Sequence, residues 1–330
     1  MAERTIVVSS PSGAMALHRY AILCAAATFA LIFVGGLVTS TGSALAVPDW
    51  PLAFGKLIPP LQGGIRFEWG HRVVAGTVSI MTLILAIWTW YAEPRRWVRM
   101  TALAAFALVV VQAILGGITV LLLLPLPIAV AHAATGQAVF CLMVALAIFT
   151  NPRFSSDQPI RSNFAIHKLT RIATVTTVVI YLQILVGAVM RHLGAGLAIP
   201  DFPTSFGHLV PPFLSIGIDV NFAHRCGALV VTGLVLWTFT RVMWSHRTQT
   251  QLRNAALLLL ALLVLQVSLG METIWSGRAV LPTTAHVAIG AAVLATSMSL
   301  TIRAYVLGRV PHTAAAAMQR LGSIRRQVSA

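Results

Sequence analysis

Long apolar runs separated by short polar segments dominate the hydrophobic pattern of this chain. A helix needs about 20 apolar residues, at a rise of roughly 1.5 Å each, to cross a lipid bilayer. Eight runs are long enough, and they lie at about 20–39, 71–91, 101–124, 129–149, 170–190, 223–244, 254–274 and 282–302. The short alternating segments typical of a β-barrel do not occur, and helices keep their backbone groups paired in lipid. The pattern therefore predicts an all-α integral membrane protein with eight transmembrane helices.

Composition and charge placement agree with this prediction. Of the 330 residues, 58% are hydrophobic and 9% are charged, whereas soluble domains carry roughly 25% charged residues. The net charge of +15 would also fit a nucleic-acid-binding protein. In an eight-span arrangement, however, seventeen of the 23 lysines and arginines fall on one side, which is the positive-inside pattern. We therefore predict a multi-pass protein of the cell (inner or plasma) membrane, with both termini cytoplasmic, lipid as its surroundings and no nucleic-acid partner.

The first apolar run lacks the early small-residue cleavage site of a signal peptide, so we expect it to remain as a span. The three cysteines, Cys24, Cys141 and Cys226, lie inside predicted spans and form no CxxC motif. Covalent haem attachment and a zinc ribbon are therefore not expected, and we interpret these cysteines as small buried apolar residues.

Two halves of the sequence resemble each other at a nearly fixed offset. Nine residues of the loop after span 1 recur 152 positions later, and they are Gly42, Leu45, Pro48, Asp49, Pro51, Phe54, Gly55, Pro59 and Pro60. At an offset of 154, Gln112, Gly116, His132 and Gly136 recur as Gln266, Gly270, His286 and Gly290. Self-similarity of this kind indicates an internal repeat. We predict two tandem four-helix-bundle repeats of parallel topology, related by an axis along the membrane normal.

This repeat divides the chain into four parts. Residues 1–150 form the N-terminal four-helix half, and residues 151–168, which are polar and basic, form a cytoplasmic linker. Residues 169–303 form the C-terminal half, and residues 304–330 are a basic cytoplasmic tail.

Four histidines follow the repeat: His71 and His132 in the first half, His224 and His286 in the second. Each lies near the start of an even-numbered span, and spans 2 and 4 run in the same direction, as do spans 6 and 8. Two imidazoles at matching depth on bundle helices can bind one metal from opposite sides, and axial histidine ligation is typical of haem. The pattern favours two haem sites. A histidine inside a span commonly serves packing alone, and zinc, the competing metal, needs a larger set of ligands.

The other histidines lack a histidine at the position equivalent in the repeat, and we interpret them as interfacial or loop residues. They are His18, His167, His192, His208, His246 and His312. Of these, His192 and His208 are the two candidates for contact with a cofactor edge.

Glu68 distinguishes the two halves, because its counterpart is Asn221, which does not titrate. If the helix extends that far, Glu68 lies one turn from His71 and on the same face. It can then act as an acid, a base or an electrostatic stabiliser, so that the first half performs chemistry while the second holds a permanent cofactor. The alternative is an ion pair of Glu68 with Arg66 or Arg72 at the surface.

Arg72 and Arg225 directly follow two of the histidines. They either pair with haem propionates or extend to lipid headgroups. Asp49 and Asp201 each lie inside a Pro-Asp-aromatic-Pro sequence, where aspartate typically forms a turn.

Taken together, these motifs resemble the haem A synthase family of Cox15-type cytochrome oxidase assembly proteins. The resemblance covers nearly all of residues 17–303 and rests on Glu-x-x-His-Arg before span 2, the four histidines and the Pro-Asp-Trp-Pro loop. It implies oxidation of the C8 methyl group of haem O to a formyl group, through successive hydroxylations, to give haem A for terminal oxidases. It also implies that His71 and His132 hold the substrate haem, that His224 and His286 ligate a resident haem b, and that Glu68 is catalytic.

The resemblance further implies that a haem O synthase (protohaem farnesyltransferase) delivers haem O and that the electrons pass to a separate acceptor. The oligomeric state is left open, and a homo-oligomer is one of the alternatives. Many family members carry a cysteine pair in the first outer loop, where this chain has Val47 and Ala53 or their neighbours, so a loop disulfide is not expected. Two other classes remain as alternatives: a dihaem b-type membrane electron carrier, and a transporter with parallel repeats.

Overall fold

The computed structural model describes residues 11–155 and 164–308 and shows eight long α-helices. They are α1 (Pro11–Ser40), α2 (Ile65–Ala92), α3 (Arg96–Leu121), α4 (Leu126–Phe149), α5 (Phe164–His192), α6 (Ile216–Ser245), α7 (Thr250–Trp275) and α8 (Val280–Leu307). Short 3₁₀ helices occur at Pro152–Ser155 and Ala195–Leu197. All eight long helices are long and apolar enough to cross a membrane. The prediction of an all-α, eight-span membrane protein is therefore confirmed.

Helices α2 and α6 begin earlier than the hydrophobic pattern predicted, at Ile65 and Ile216 rather than near 71 and 223. Their first turns contain polar residues, which lower the local hydropathy but remain helical. Ser215 caps α6 by accepting a hydrogen bond from the backbone N–H of Ile218, as serine commonly does before a helix. The early starts place Glu68, His71 and Arg72 on a single helix.

The helices form two rings of four. In the first ring α1 packs on α2, α2 on α3, α3 on α4, and α4 closes on α1. Helices α5 to α8 form the second ring in the same order. Helices α2 and α4 therefore face each other across the first ring, and α6 and α8 across the second. The rings meet through α1, α4, α5 and α8.

Polar contacts connect the two rings near the loops 41–64 and 193–215, which we call the loop end of the molecule. Arg191 Nη2 donates to the carbonyl of Gly36 at 2.9 Å and to Ser40 Oγ at 2.7 Å. Thr284 Oγ1 donates to the same Ser40 Oγ at 2.9 Å. These bonds join α1 of the first ring to α5 and α8 of the second.

The apolar cores lie mainly toward the end opposite the loops. The core of the first ring includes Leu17, Leu85, Val98, Met143 and Leu146, and that of the second includes Ile166, Leu169, Val242, Leu252 and Leu300. Along α2, no residue between Glu68 and Val78 is buried, and along α6 none between Asn221 and Val231. Both segments are described throughout. The ring interiors are thus less filled at the loop end, where the four histidines lie.

Corresponding features recur in both halves. The loops contain cis peptide bonds at Trp50–Pro51 and Phe202–Pro203. Positive φ angles occur at the equivalent residues Phe54 and Phe206, which supports the tandem repeat. The repeat remains a prediction, together with the domain boundaries. The central part of the linker 151–168, residues 156–163, and the tail 304–330 from residue 309 onward lie outside the described residues.

Candidate functional site

Each of the four repeat histidines packs against a glycine of the preceding helix. The ideal Cβ position on each glycine lies only 3.0–3.1 Å from the imidazole Cε1. The pairs are Gly35 with His71, Gly116 with His132, Gly187 with His224 and Gly270 with His286. A larger residue at any of these positions would displace the ring. The glycines therefore fix where each imidazole can lie.

His224 and His286 face each other across the second ring. Their ring centroids are 6.4 Å apart and their planes are inclined by 68°. Two imidazoles bonded to one metal ion at roughly 2.0–2.1 Å each would have their centroids about 6 Å apart. The pair therefore fits one metal ion held from two opposite sides, as in a haem with two axial histidines.

His71 and His132 occupy the corresponding places in the first ring and are close enough to interact electrostatically. The Nδ1 atoms of both rings are buried; that of His71 makes no hydrogen bond to any described residue, whereas His132 lies against the backbone carbonyl of Gln112. Among the described residues, no group of three or more histidine, cysteine, aspartate or glutamate side chains could hold a metal ion. Two donors per site fit axial ligation of a haem better than the larger ligand set of zinc.

Glu68 lies beneath the loop 41–64 and is only 4% exposed. Its Oε1 accepts a hydrogen bond from Arg72 Nη2 at 2.7 Å, and its Oε2 accepts one from the backbone N–H of Val47 at 2.8 Å. The ion pair considered from the sequence is therefore present with Arg72, but it is buried rather than on the surface. Charge-assisted bonds of this length are strong, so they hold the carboxylate in a defined position under the loop.

Arg72 uses its guanidinium mainly to hold the first loop. Its Nη atoms donate to the backbone carbonyls of Val47, Asp49 and Leu52 at 2.7–3.1 Å, in addition to Glu68. A guanidinium has five N–H donors, and four are used in these bonds. Little donor capacity is left for a haem propionate.

Arg225 makes the same arrangement in the second half. It donates to the carbonyls of Ile199, Asp201 and Thr204 at 2.8–2.9 Å. Asn221 takes the place of the glutamate and accepts from Arg225 Nε at 3.0 Å. A neutral amide is thus sufficient to hold the equivalent loop, and the negative charge of Glu68 is not needed for that purpose.

Asp49 and Asp201 form the turns that the sequence predicted. Asp49 accepts hydrogen bonds from the backbone N–H groups of Phe54 and Gly55 at 2.6 and 2.8 Å, and Asp201 accepts from Phe206 and Gly207 at 2.7 and 2.9 Å. These donors, led by Gly55 and Gly207, hold the pKa of both carboxyl groups below the ordinary value. Both turns are therefore charged and closed at neutral pH.

The first loop also reaches into the helix bundle. The indole of Trp50 packs on Gly117 of α3 so closely that a Cβ there would lie 2.7 Å from Trp50 Cδ2. Gly117 adjoins Gly116, which packs against His132. Trp50 therefore covers the part of the first ring that contains the histidine pair.

The structure adds residues whose role the sequence did not reveal. Gln183 Nε2 lies 3.0 Å from His224 Nδ1, and the Nε2 atoms of Gln112 and Gln266 lie 3.3 Å from the Nε2 atoms of His132 and His286. Recurrence of Gln112 and Gln266 in the repeat was the available signal, but it did not show what they contact. Gly70 and Gly76 on α2 have open space around them.

Among the remaining histidines, His192 lies near enough to His132 for an electrostatic interaction. Of the three cysteines, Cys24 is buried, as expected, whereas Cys141 is half-buried and Cys226 is exposed on the helix surface. All three are free.

Comparison with known proteins identifies relatives over most of the chain. A family model described as "Cytochrome oxidase assembly protein" (COX15-CtaA) matches residues 18–66 and 64–298. A protein named heme A synthase from Symbiobacterium thermophilum is 31% identical over 271 residues, which cover 77% of this chain and 84% of the relative. Proteins of the same name from Bacillus licheniformis and Shouchella clausii are 29% and 28% identical, covering 84% and 89% of their own lengths.

Proposed function

The chain belongs to the COX15-CtaA family of cytochrome oxidase assembly proteins, and on that premise we propose that it is a haem A synthase, an enzyme that oxidises haem O to haem A. The observation that carries this proposal is the pair of facing, glycine-backed histidines in each ring. The family match and the relatives' names agree with the function that the sequence motifs implied. They favour the enzyme over a dihaem electron carrier or a transporter.

The two histidine pairs take different haems in this proposal. His71 and His132 hold the substrate, haem O, and His224 and His286 are the two axial ligands of a resident haem b. Haem b supplies one-electron redox chemistry when bound. The 6.4 Å separation of the His224 and His286 rings supports the second assignment. The finer chemistry is the oxidation of the C8 methyl group of haem O to a formyl group through successive hydroxylations.

Glu68 is the catalytic carboxylate in this proposal. It lies on α2 one turn before His71 and carries a negative charge that the second half replaces by Asn221. A carboxylate beside the reacting edge of the substrate can accept a proton at Oε1 or Oε2 as hydroxylation proceeds, or stabilise positive charge there. Its bonds to Arg72 and to the Val47 N–H orient it before the substrate arrives.

Arg72 and Arg225 contribute to the two haem sites mainly by holding the loops. Each guanidinium binds three loop carbonyls, so that the loops stay fixed above the histidines. Direct contact with a propionate is possible only through the donor that remains. Trp50, packed on Gly117, helps to exclude water from the first site.

The proposed orientation places the loop end outside the cytoplasm. The basic residues of the polar segments at the opposite end, among them Arg95 and Arg247, follow the positive-inside pattern. Both termini then face the cytoplasm of a cell whose plasma membrane contains the protein. Haem O would arrive from a haem O synthase within the same membrane, and electrons would leave to an acceptor of unassigned identity.

The direct test is production of haem A in a bacterial host that makes haem O and lacks its own haem A synthase. We expect haem A, identified by mass analysis of extracted pigments, only when the full chain is present. The control is the double variant His71→Ala/His132→Ala, which should leave haem O unconverted. Expression of well-folded protein without any oxidised haem O would overturn the proposal.

A further inference from the structure

The second-half histidine His224 has a hydrogen-bonding partner that its first-half counterpart, His71, lacks. Gln183 Nε2 lies 3.0 Å from His224 Nδ1 and donates to the backbone carbonyl of His224 at 2.7 Å. Gln183 therefore holds both the imidazole and the helix that carries it. The Nδ1 atom of His71 is buried without a partner among the described residues.

The first of two sequence differences behind this contrast is the residue at the position of Gln183. The glycines that back the two rings, Gly35 and Gly187, are 152 positions apart, and the same offset places Leu31 where the second half has Gln183. A leucine side chain has no polar group with which to bind an imidazole.

The space that Gln183 occupies is also particular to the second half. A Cβ at Gly227 would overlap Gln183 Oε1, so the glutamine fits only because residue 227 is glycine. The 153-position offset between His71 and His224 places Val74 at the corresponding point of the first half. The first half thus lacks both the amide and the room for it.

The other member of each pair does not distinguish the halves. His286 lies against the backbone carbonyl of Gln266, and His132 lies against the equivalent carbonyl of Gln112. The side chains of both glutamines lie 3.3 Å from the Nε2 atom of their histidine. The contrast between the halves therefore lies between His71 and His224.

In a histidine that binds a metal through one ring nitrogen, the hydrogen-bond partner of the other nitrogen strongly affects metal binding. It fixes the orientation of the ring and raises its basicity, and removal of such a partner typically weakens metal affinity by about 10–100-fold. A ring that binds iron through Nε2 carries its proton on Nδ1 and donates it to a neighbouring acceptor. The NH2 group of Gln183 lies at Nδ1 here, so the amide accepts that proton at Oε1 once it has turned.

We propose that Gln183 anchors His224 as a permanent haem ligand, whereas Leu31 and Val74 leave His71 unanchored, so that the first site exchanges its haem and the second retains it. This inference rests on the proposed function and deepens it. An enzyme whose substrate and product are both haems must release one haem in every turnover, while its resident haem stays. Leu31, Val74, Gln183 and Gly227 are positioning residues that set this difference without touching the haem iron.

The test measures haem loss from each site separately. Full-length protein is produced in a host that makes protohaem but no haem O, with His224→Ala/His286→Ala to isolate the first site and His71→Ala/His132→Ala to isolate the second. Transfer of protohaem to excess apomyoglobin then gives each loss rate spectroscopically. We expect the first site to lose haem faster than the second by about tenfold or more.

Two reciprocal substitutions test whether Gln183 causes the difference in haem loss between the sites. Gln183→Leu in the second-site protein should speed haem loss by about tenfold, and Leu31→Gln/Val74→Gly in the first-site protein should slow it by a similar factor. Val74→Gly alone is the control for the added glycine and should not slow loss. Gln137→Leu removes a buried glutamine that contacts none of the four histidines by any hydrogen bond described, and should leave the second site unchanged.

The outcomes separate this inference from the proposed function. If both sites bind protohaem but lose it at equal rates, or if neither reciprocal change alters its site in the expected direction, the inference is overturned and the function stands. If neither isolated site binds protohaem in folded protein, the proposed function itself fails, and this inference fails with it.

Discussion

Glu68 and Asn221 show how one residue can separate two otherwise similar sites. Both accept a hydrogen bond from the arginine one turn later, at 2.7 and 3.0 Å, and both are buried under a loop. Since an amide performs the structural task in the second half, the charge of Glu68 is available for chemistry in the first.

The first prediction concerns this charge. Glu68→Gln should lower haem A formation by roughly 10²–10⁴-fold, the usual contribution of a general acid or base, while the haem b spectrum stays unchanged. The measurement is the ratio of haem A to haem O in extracted pigments. Glu93→Gln is the matched control, because Glu93 is also a buried glutamate paired with an arginine, Arg95, at 2.6 Å, but lies at the opposite end of α2. Full turnover in Glu68→Gln would remove the carboxylate from the mechanism.

A second prediction concerns the glycines behind the imidazoles. Gly187→Ala would place a Cβ 3.0 Å from His224 Cε1, so the ring must move and haem b retention should fall by about tenfold, as for other changes beside a metal ligand. Haem b per purified chain measures the effect. Gly233→Ala on α6 meets no atom within 4 Å and should retain haem b fully; equal retention in both variants would contradict the packing argument.

At the residue scale, the sequence singled out the four histidines and Glu68, with Arg72 as one candidate partner of Glu68, but it did not reveal what the histidines contact. The repeat offset marked Gln112 and Gln266 without showing what they touch. Gln183 and the glycines Gly35 and Gly187 were not singled out, because the order of helices around each ring decides which side chains meet. That order depends on packing between segments far apart in the chain.

At the scale of elements, the hydrophobic pattern found all eight spans but placed the starts of α2 and α6 too late. The first turn of α2 contains Arg66 and Glu68, whose polarity ends an apolar run although the backbone is helical. The loops that satisfy these polar groups cannot be inferred from a hydropathy profile. Asp49 and Asp201, in contrast, were predicted as turn formers from their local sequence, and that prediction is confirmed.

A third prediction concerns these loops. Asp49→Ala removes the acceptor for the N–H groups of Phe54 and Gly55, so hydrogen exchange at these two amides should accelerate. Because the folded pKa of Asp49 lies below its ordinary value of 3.8, the turn is fully formed above about pH 4 and weakens only as pH falls through the lower folded value. Exchange corrected for intrinsic rates should therefore show no loop opening between pH 7 and pH 5 in the unmodified protein. Opening within that range would mean that a different group controls the loop.

At the scale of the whole molecule, two four-helix rings place their histidine pairs at one end, and Arg191, Ser40 and Thr284 join the rings there. Composition and apolar periodicity were sufficient to predict the eight-span class. The arrangement of the rings was not predictable, because contacts of α1, α4, α5 and α8 across the interface leave no periodic signal. The position of one histidine pair relative to the other follows from this interface.

A fourth prediction concerns orientation. Lys56 lies in the first outer loop and Arg247 lies in the connection between α6 and α7, and both side chains are exposed. In intact cells, a membrane-impermeant maleimide should label Lys56→Cys and not Arg247→Cys, because only the loop end faces outward. Labelling of both after the membrane is opened is the control for reactivity, and the reverse pattern would invert the proposed topology.

The most direct measurement of the central claim is the haem inventory of three purified proteins from a host that makes haem O: the unmodified chain, His71→Ala/His132→Ala and His224→Ala/His286→Ala. Pigments are extracted for mass analysis beside a reduced-minus-oxidised spectrum. We predict haem b together with haem O or haem A in the unmodified chain, haem b alone after loss of the first pair, and loss of the tightly held haem b after loss of the second. Haem b as the sole pigment of the unmodified chain, or the same loss from either double variant, would contradict the division into a substrate site and a resident haem site.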